Sequence, residues 1–284
     1  MIILSQQDKV WFITGCSTGF GRHIAEQAIH AGYKVVVTAR DVEQISDLTA
    51  GHEENTLTLP LDVTNPDQIR LAIDQTIEKF SRIDVLVNNA GIGYFSSVEE
   101  SLEEETRRMF EINFWGLMHV TNTVLPYMRN QKNGHIINFS SIGGLTSFPT
   151  LGYYHATKYA VEGISESLAQ ELAPFNIRVS LIEPSSFRTD WGGRSSAKTD
   201  TSIPEYKASI VGQMLQGIQL GAGQEAGDPI KLAEAIVNLV ETPEPPLRLL
   251  LGKQAYQAAH HKFTNLLVSM EEWKETTINA DYQD

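Results

Sequence analysis

A tyrosine and a lysine, Tyr154 and Lys158, lie four residues apart in a segment with a helical pattern. Residues at this spacing share one face of a helix. A lysine ammonium beside a phenol favours the phenolate, so we expect the pKa of Tyr154 to lie below its ordinary value of about 10. Ser141, thirteen residues before the tyrosine, adds a hydroxyl group. Together the three residues predict a site of proton exchange near neutral pH, although the pair alone also fits two ordinary helix residues.

A glycine-rich turn at residues 14–21 follows an apolar strand and precedes a helix. In this setting, backbone N–H groups and the helix N-terminus can bind a pyrophosphate. Gly15 permits the tight turn, Gly19 lets the backbone approach the phosphates, and Gly21 allows close packing of helix on strand. The turn residues that we predict to contact a dinucleotide are Gly15, Ser17, Thr18, Gly19, Phe20 and Gly21.

Apolar runs alternate with helical patterns along most of the chain, which is typical of a parallel sheet covered by helices on both faces. The predicted strands are 10–14, 34–38, 56–59, 85–88, 135–139, 178–182 and 247–251. The predicted helices are 19–31, 42–48, 66–80, 102–128, 152–173 and 228–241. The expected fold class is α/β, a single domain over residues 1–284 with a doubly wound parallel sheet of about seven strands flanked by helices.

The composition limits the possible partners and chemistry. The net charge of −13 and the isoelectric point near 5.1 argue against a nucleic-acid partner and an anionic membrane surface. No run approaches the roughly 20 apolar residues of a membrane span, so we expect no membrane partner and a cytoplasmic location. Cys16 is the only cysteine, which excludes an intrachain disulfide and a cysteine-rich metal site. We therefore predict no bound metal.

Four motifs in order resemble those of the short-chain dehydrogenase/reductase family. They are Thr-Gly-x-x-x-Gly-x-Gly at 14–21, Asn-Asn-Ala-Gly at 88–91, Ser141, and Tyr154-x-x-x-Lys158, and the resemblance covers residues 9 to about 252. It implies a single Rossmann-type domain, a nicotinamide cofactor, Tyr154 as general acid/base, and Ser141 bonded to the substrate oxygen. It also implies that Lys158 binds the nicotinamide ribose and that Asn113 completes a water-linked proton path. Without the resemblance, Asn113 reads as a buried helix residue bonded to backbone.

The resemblance assigns further cofactor contacts and favours NADP over NAD. Ala39 stands where NAD-using relatives carry an acid, and Arg40 follows it, as in the NADP-preferring pattern. Asp41 is the competing signal for NAD, but we interpret it as the cap of the next helix. The further predicted contacts are Arg40, Asp62, Val63, Asn89, Ala90, Gly91, Tyr154, Lys158, Pro184 and Thr189. Ser185 replaces the glycine that the family usually has after Pro184.

The segments after Pro184 predict the substrate side of the site. Residues 191–227 fit either a plain surface loop or a substrate lid, and their exit from the carboxyl edge of the sheet favours the lid. Residues 253–284 predict a C-terminal helical extension. The expected pocket residues are mostly apolar or aromatic, which favours an apolar ketone or secondary alcohol as substrate, with Arg188 and Arg194 as the nearby cations. These pocket residues are Gly93, Tyr94, Phe95, Ile142, Gly143, Leu145, Phe148 and Trp191.

The leading hypothesis is an NADP-dependent carbonyl reductase or alcohol dehydrogenase. Thr-Ala-Arg-Asp at 38–41 and Phe-Arg-Thr-Asp at 187–190 resemble, more loosely, the branch that contains hydroxysteroid and retinol dehydrogenases. Two alternatives stay open: an NADP-binding redox sensor or scaffold without turnover, and an epimerase or dehydratase on the same cofactor fold. The family resemblance also implies a homodimer or homotetramer, through helices that begin near Leu102 and Gly152.

Overall fold

The structure, a computed structural model, describes residues 8–193, 196–221 and 224–282. Its strands are β1 (Val10–Ile13), β2 (Lys34–Ala39), β3 (Thr56–Pro60), β4 (Val85–Asn88), β5 (Gly93–Phe95), β6 (Gly134–Phe139), β7 (Ile177–Pro184), β8 (Ser196–Lys198) and β9 (Arg248–Leu251). Seven of them form one parallel sheet in the order β3-β2-β1-β4-β6-β7-β9, and β5 pairs with β8 in a second, two-stranded parallel sheet.

Helices cover both faces of the large sheet, because successive side chains of a strand point to opposite faces. The helices are α1 (Gly19–His30), α2 (Ser46–Thr49), α3 (Pro66–Phe80), α4 (Glu103–Phe110), α5 (Leu117–Gln131), α6 (Gly152–Leu172), α7 (Pro204–Lys207), α8 (Ile210–Gly221), α9 (Pro229–Glu241), α10 (Lys253–Glu272) and α11 (Lys274–Ile278). Trp11 and Ile13 of β1 belong to a core with α1 and α9, whereas Phe12 belongs to a core with α3, α5 and α6. The predicted single, doubly wound Rossmann-type domain is confirmed.

The predicted helix over residues 102–128 has no break, but one of its turns is π-helical. It divides into α4, a π-helical turn at Glu111–Gly116, and α5, which extends to Gln131. Tertiary contacts fix this turn: Asn113 bonds the backbone of Ile92, and a Cβ at Gly116 would lie only 2.7 Å from Val63 Cγ2. Widened turns of this kind occur often at functional sites.

The predicted helix over residues 42–48 is also divided, into a 3-10 turn at Val42–Ile45 and α2. The carboxylate of Asp41 accepts a hydrogen bond from Glu43 N at 3.1 Å. The interpretation of Asp41 as a cap is therefore confirmed, although the element that it caps is a 3-10 turn.

The segment from 191 to 227, predicted as a loop or lid, contains regular structure where it is described. It includes β8, α7 and α8, while residues 194–195 and 222–223 lie outside the described part of the chain. The ends of the predicted 1–284 domain and of the 253–284 extension, residues 1–7 and 283–284, lie outside it too. Among the helices that the structure describes, none combines the length and apolar character needed to cross a membrane.

Candidate active site

A cleft of about 1050 Å³ runs along the carboxyl edge of the sheet and brings together most of the predicted site residues. The predicted residues that line it are Gly15, Ser17, Thr18, Gly19, Phe20, Arg40, Asp62, Val63, Asn89, Ala90, Gly91, Ser141, Tyr154, Lys158, Pro184 and Thr189. Gly21 and Asn113 are not part of this lining. Both contact the backbone of segments that line the cleft.

The glycine-rich turn has the backbone that the sequence predicts. Gly15 and Gly19 have φ angles of +73° and +60°, a region that side chains disfavour. A Cβ at Gly21 would overlap the Gly15 carbonyl oxygen and Asn89 Nδ2, so Gly21 acts by packing. The α1 N-terminus has no side-chain cap at Thr18 and no acid in its first turn, so its N–H groups can donate hydrogen bonds to the oxygens of a phosphate anion.

Asn89 and Thr14 hold this turn against the end of β4. Asn89 Nδ2 donates to the carbonyl oxygens of Thr14 and Gly15, at 2.9 and 3.0 Å. The backbone N–H groups of Asn89 and Ala90 both donate to Thr14 Oγ1, at 3.0 Å each. Thr14 was part of the motif, but its role depends on a contact 75 residues away that local pattern does not reveal.

The other cofactor-side residues follow the strand ends. Asp62 Oδ1 accepts bonds from the N and Oγ1 of Thr64, which fixes the carboxylate beside the cleft. Thr189 faces the glycine turn, since a Cβ at Gly19 would lie 3.5 Å from Thr189 Cβ. Ser185, the departure from the family pattern, is accommodated: its N–H donates to the Leu251 carbonyl oxygen at 3.0 Å.

Tyr154 and Ser141 form the centre of the site. Tyr154 is buried, and burial raises its pKa to about 12, while a hydrogen bond with the Ser141 side chain acts in the opposite direction. The expectation that Lys158 holds the pKa of Tyr154 below 10 is therefore wrong here, because desolvation of the phenolate is the largest effect on this pKa. The neutral phenol is the form that can donate a proton.

Lys158 lies behind the tyrosine. Its Nζ atom is 5.7 Å from the centre of the Tyr154 ring and donates to the Phe139 carbonyl oxygen at 2.7 Å. Burial lowers the pKa of Lys158 to about 8, and the nearby Glu162 carboxylate opposes this shift. At pH 7 the side chain is still mostly an ammonium group.

Asn113 is buried behind the cleft lining. Its Oδ1 accepts from Ile92 N at 2.8 Å and its Nδ2 donates to Ile92 O at 2.9 Å and to Thr157 Oγ1 at 3.2 Å. The side chain thus bonds backbone, as the alternative interpretation expected. It connects the π-helical turn, the segment after β4 and helix α6, which carries Tyr154.

His155 is a cleft-lining residue whose contacts the sequence did not reveal. Its Nε2 accepts from Phe148 N at 2.9 Å and its Nδ1 lies 2.9 Å from the Gly143 carbonyl oxygen, so Nδ1 carries the proton. Burial lowers its pKa, which favours this neutral form. Gly143 N in turn donates to Ser141 Oγ at 3.0 Å. His155 therefore fixes the loop that orients Ser141, a role set by loop geometry.

A buried carboxyl group, Glu183, lies at the end of β7. It is 0% exposed, its carboxyl group shares a side-chain hydrogen bond with Glu162, and Arg248 Nε lies 3.6 Å from Oε1. Burial, with the neighbouring Glu162, raises its pKa to about 8. Glu183 is therefore mostly protonated at neutral pH.

The substrate end of the cleft is largely apolar. The Trp191 ring centre lies 5.0 Å from that of Tyr154 and 5.2 Å from that of Phe95. Of the predicted pocket residues, Gly93, Phe95, Ile142, Gly143, Phe148 and Trp191 line the cleft, and Met214 of α8 joins them. Two predicted members do not line it: Tyr94 bonds Thr199 and Leu102 through its hydroxyl, and Leu145 packs on α10.

The cations predicted near this end are Arg188 and Arg194, and Arg188 does not line the cleft. Arg188 is exposed and donates to the Glu225 carbonyl oxygen, and Arg194 lies outside the described residues. Arg108 of α4 lines the cleft instead. Its position depends on how α4 packs, which the sequence pattern did not show.

Comparison with known proteins identifies the family. The family model described as short chain dehydrogenase matches residues 9–200. Oxidoreductase BOA17 of Botryotinia fuckeliana is 40% identical, over 95% of this chain and 98% of that protein. A 3-ketodihydrosphingosine reductase of Bacteroides thetaiotaomicron is 36% identical, over 87% of this chain and 88% of the other. The chain belongs to the short-chain dehydrogenase/reductase family and is an oxidoreductase of that family.

Solved structures agree with this assignment. A short-chain dehydrogenase of Streptomyces avermitilis has a TM-score of 0.89 and 37% identity, covering 98% of this chain and 100% of that chain. A Burkholderia phymatum family member in complex with NAD has a TM-score of 0.78 and 25% identity, over 91% and 95%. A metagenomic short-chain oxidoreductase in complex with NADP has a TM-score of 0.66 and 26% identity, over 86% and 96%. These neighbours support a nicotinamide cofactor.

Proposed function

We propose that this protein is an NADP(H)-dependent oxidoreductase that interconverts an apolar ketone and its secondary alcohol. The proposal rests on the position of three side chains. Ser141, Tyr154 and Lys158 line one cleft, beside a glycine-rich turn and an apolar pocket. A binding protein without turnover has no chemical need for all three side chains.

The nicotinamide, when bound, supplies or accepts the hydride at the substrate carbon. In the reductive direction the Tyr154 hydroxyl gives its proton to the carbonyl oxygen, and its raised pKa keeps that proton in place at pH 7. Ser141, oriented by Gly143 N, donates a hydrogen bond to the same oxygen and stabilises its developing charge. Lys158, as an ammonium behind the phenol, stabilises the tyrosinate that proton transfer leaves. Asn113 keeps helix α6 in register with the cleft.

The preference for NADP is proposed from the end of β2. Ala39 is small and buried, and Arg40 is exposed on a cavity of about 360 Å³ formed with Ser17, Asp41 and Gln44. Both Asp41 carboxylate oxygens are already bonded, Oδ1 to Glu43 N and Oδ2 to Gln44 Nε2 at 3.0 Å, so this acid is not a free ribose acceptor. Arg40 can pair with the 2′-phosphate.

The double change Ala39→Asp with Arg40→Leu tests this preference. It removes the phosphate partner and adds a ribose acceptor, so the ratio of kcat/KM for NADPH to that for NADH is expected to fall at least tenfold. Arg70→Leu, on the exposed surface of α3, is a matched control for loss of one arginine. An unchanged ratio in the double variant would show that NADP selectivity does not come from this position.

The apolar substrate is proposed from the aromatic wall of Phe95, Phe148 and Trp191, and a ketone reductase is among the relatives. We also propose that the 196–221 segment covers bound substrate, because Met214 of α8 reaches the cleft. Glu100 Oε1 fixes the base of this segment by accepting from the N–H groups of Ser202 and Ile203.

A ketone panel with saturating NADPH tests the substrate class. Bulky apolar ketones are expected to have higher kcat/KM than keto acids of similar size. Higher efficiency for keto acids, lost in Arg108→Ala, would contradict the proposal. The proposal that the 196–221 segment covers bound substrate is tested by amide exchange. Equal protection of residues 204–217 with and without a ketone substrate would argue against it.

A further inference from the structure

Helix α10 leaves the body of the protein after its first two turns. Ala255 and Ala259 are buried against Ile142 and Leu145, in the turn that follows Ser141. Every residue from 260 to 282 is exposed. We call this stretch the terminal arm. A helix in water depends mainly on packing of an apolar face, and the described part of the chain provides none for the arm.

The terminal arm carries an apolar stripe with coiled-coil spacing. Phe263, Leu266 and Met270 follow one another at intervals of three and four residues within α10, which are the a and d positions of a heptad, and Trp273 continues the spacing at the C-cap of the helix. Leu267 widens the stripe. These five side chains are between 45% and 65% exposed. Such a stripe is the seam by which one helix packs on another.

The distribution of charge along α10 favours a second copy of the same helix, in antiparallel orientation, as the partner of the stripe. Lys262 is the cation near the start of the arm, and α10 ends with Glu271 and Glu272, of which Glu271 is paired with Lys274 at 2.9 Å. No acid lies in the first turn of α10 and no base in the last, so the helix gains nothing from its own macrodipole. A second arm in antiparallel orientation brings the basic half of each helix beside the acidic half of the other. A parallel partner would place like charges together, and an anionic membrane would repel the acidic half.

We propose that the terminal arm pairs antiparallel with the arm of a second copy of this chain, around a two-fold axis. Large side chains present about 150–250 Å² each, so the exposed parts of the stripe supply on the order of 500 Å² per copy. Two copies reach the lower range of specific interfaces, about 1,200 Å² in total with the flanking charges. This surface is separate from α4, α5 and α6, where the family resemblance places its contact.

Sedimentation of the full-length protein at several concentrations tests the pairing. Leu266→Glu with Met270→Glu is expected to remove one association step, halving the mass of the largest species. Val268→Glu is the matched control, because Val268 is 53% exposed on the opposite side of the helix and its variant should keep the wild-type mass. Helical circular dichroism and ketone turnover check folding. Equal masses for wild type and the Leu266/Met270 variant would overturn the proposal.

Two further measurements determine whether the paired arms are antiparallel and whether the apolar stripe binds a second arm or a membrane. Glu271→Gln with Glu272→Gln is expected to weaken the association several-fold at low salt, whereas a parallel pair would be strengthened by losing like-charge contacts. Vesicles of phosphatidylcholine with phosphatidylglycerol are expected not to bind the wild type. Binding to them that is lost in the Leu266/Met270 variant, with no change in mass, would assign the stripe to a membrane and reject self-pairing.

Discussion

Gly21 offers a sharp test of how the cofactor turn is built. Gly21 lies in the first turn of α1, and a Cβ there would overlap the Gly15 carbonyl oxygen and Asn89 Nδ2 and lie 3.0 Å from the Gly15 carbonyl carbon. Two of these three atoms are backbone of the glycine turn. Gly21→Ala must therefore move the turn, the Asn89 side chain, or both.

The size of the effect follows from two opposing contributions. Overpacking of a tight contact costs about 1–3 kcal/mol, and replacing glycine by alanine in a helix returns up to about 1 kcal/mol. We expect a net loss of about 0.5–2 kcal/mol in the free energy of unfolding. Displacement of the turn should also weaken NADPH binding about tenfold, which corresponds to about 1.4 kcal/mol.

Gly163→Ala is the matched control. Gly163 is exposed within α6, and no atom lies within 4 Å of the position that a Cβ would take. The same substitution should therefore stabilise the protein by about 0.5–1 kcal/mol and leave NADPH affinity unchanged. Urea unfolding and fluorescence titration with NADPH measure both quantities. Wild-type stability and affinity in Gly21→Ala would refute the packing argument.

Two other changes test buried polar groups. His155→Phe leaves Gly143 O and Phe148 N without a hydrogen-bond partner, so we expect a loss of about 2 kcal/mol in the free energy of unfolding and of about tenfold in kcat. His155→Gln should recover part of both. A wild-type kcat in His155→Phe would contradict a role of His155 in positioning Ser141. Glu183 has a folded pKa of about 8, above its ordinary 4.5, so the folded state keeps a proton that the unfolded chain releases and wild-type stability should fall as the pH rises between these values. Glu183→Gln should remove that slope, so its stability relative to wild type should rise by about 3–4 kcal/mol as the pH goes from 5 to 8. Parallel pH profiles of unfolding would disprove it.

The sequence predicted the features that depend on local pattern. The strands, the Asp41 cap and the conformations of Gly15 and Gly19 follow from periodicity and from backbone sterics, and they appear as expected. The seven strands were visible because buried parallel strands are nearly continuous apolar runs.

Features that depend on contacts distant in sequence were missed. The π-helical turn requires Asn113 to meet Ile92, and no spacing within residues 102–128 shows that contact. The raised pKa of Tyr154 comes from burial, a property of the assembled cleft, while the i,i+4 pattern showed only Lys158. His155 was adjacent to the motif but gained its role from the loop that it bonds.

Tyr154 is proposed to transfer the proton in an NADPH-dependent reduction, and Tyr154→Phe removes that proton donor. The substitution removes the hydroxyl group and keeps the ring that packs on Trp191. Turnover of an apolar ketone, followed at the nicotinamide absorbance, should fall at least about 10²-fold, while the Kd for NADPH stays within about twofold of wild type. Ketone turnover at the wild-type rate, with NADPH binding intact, would contradict the claim.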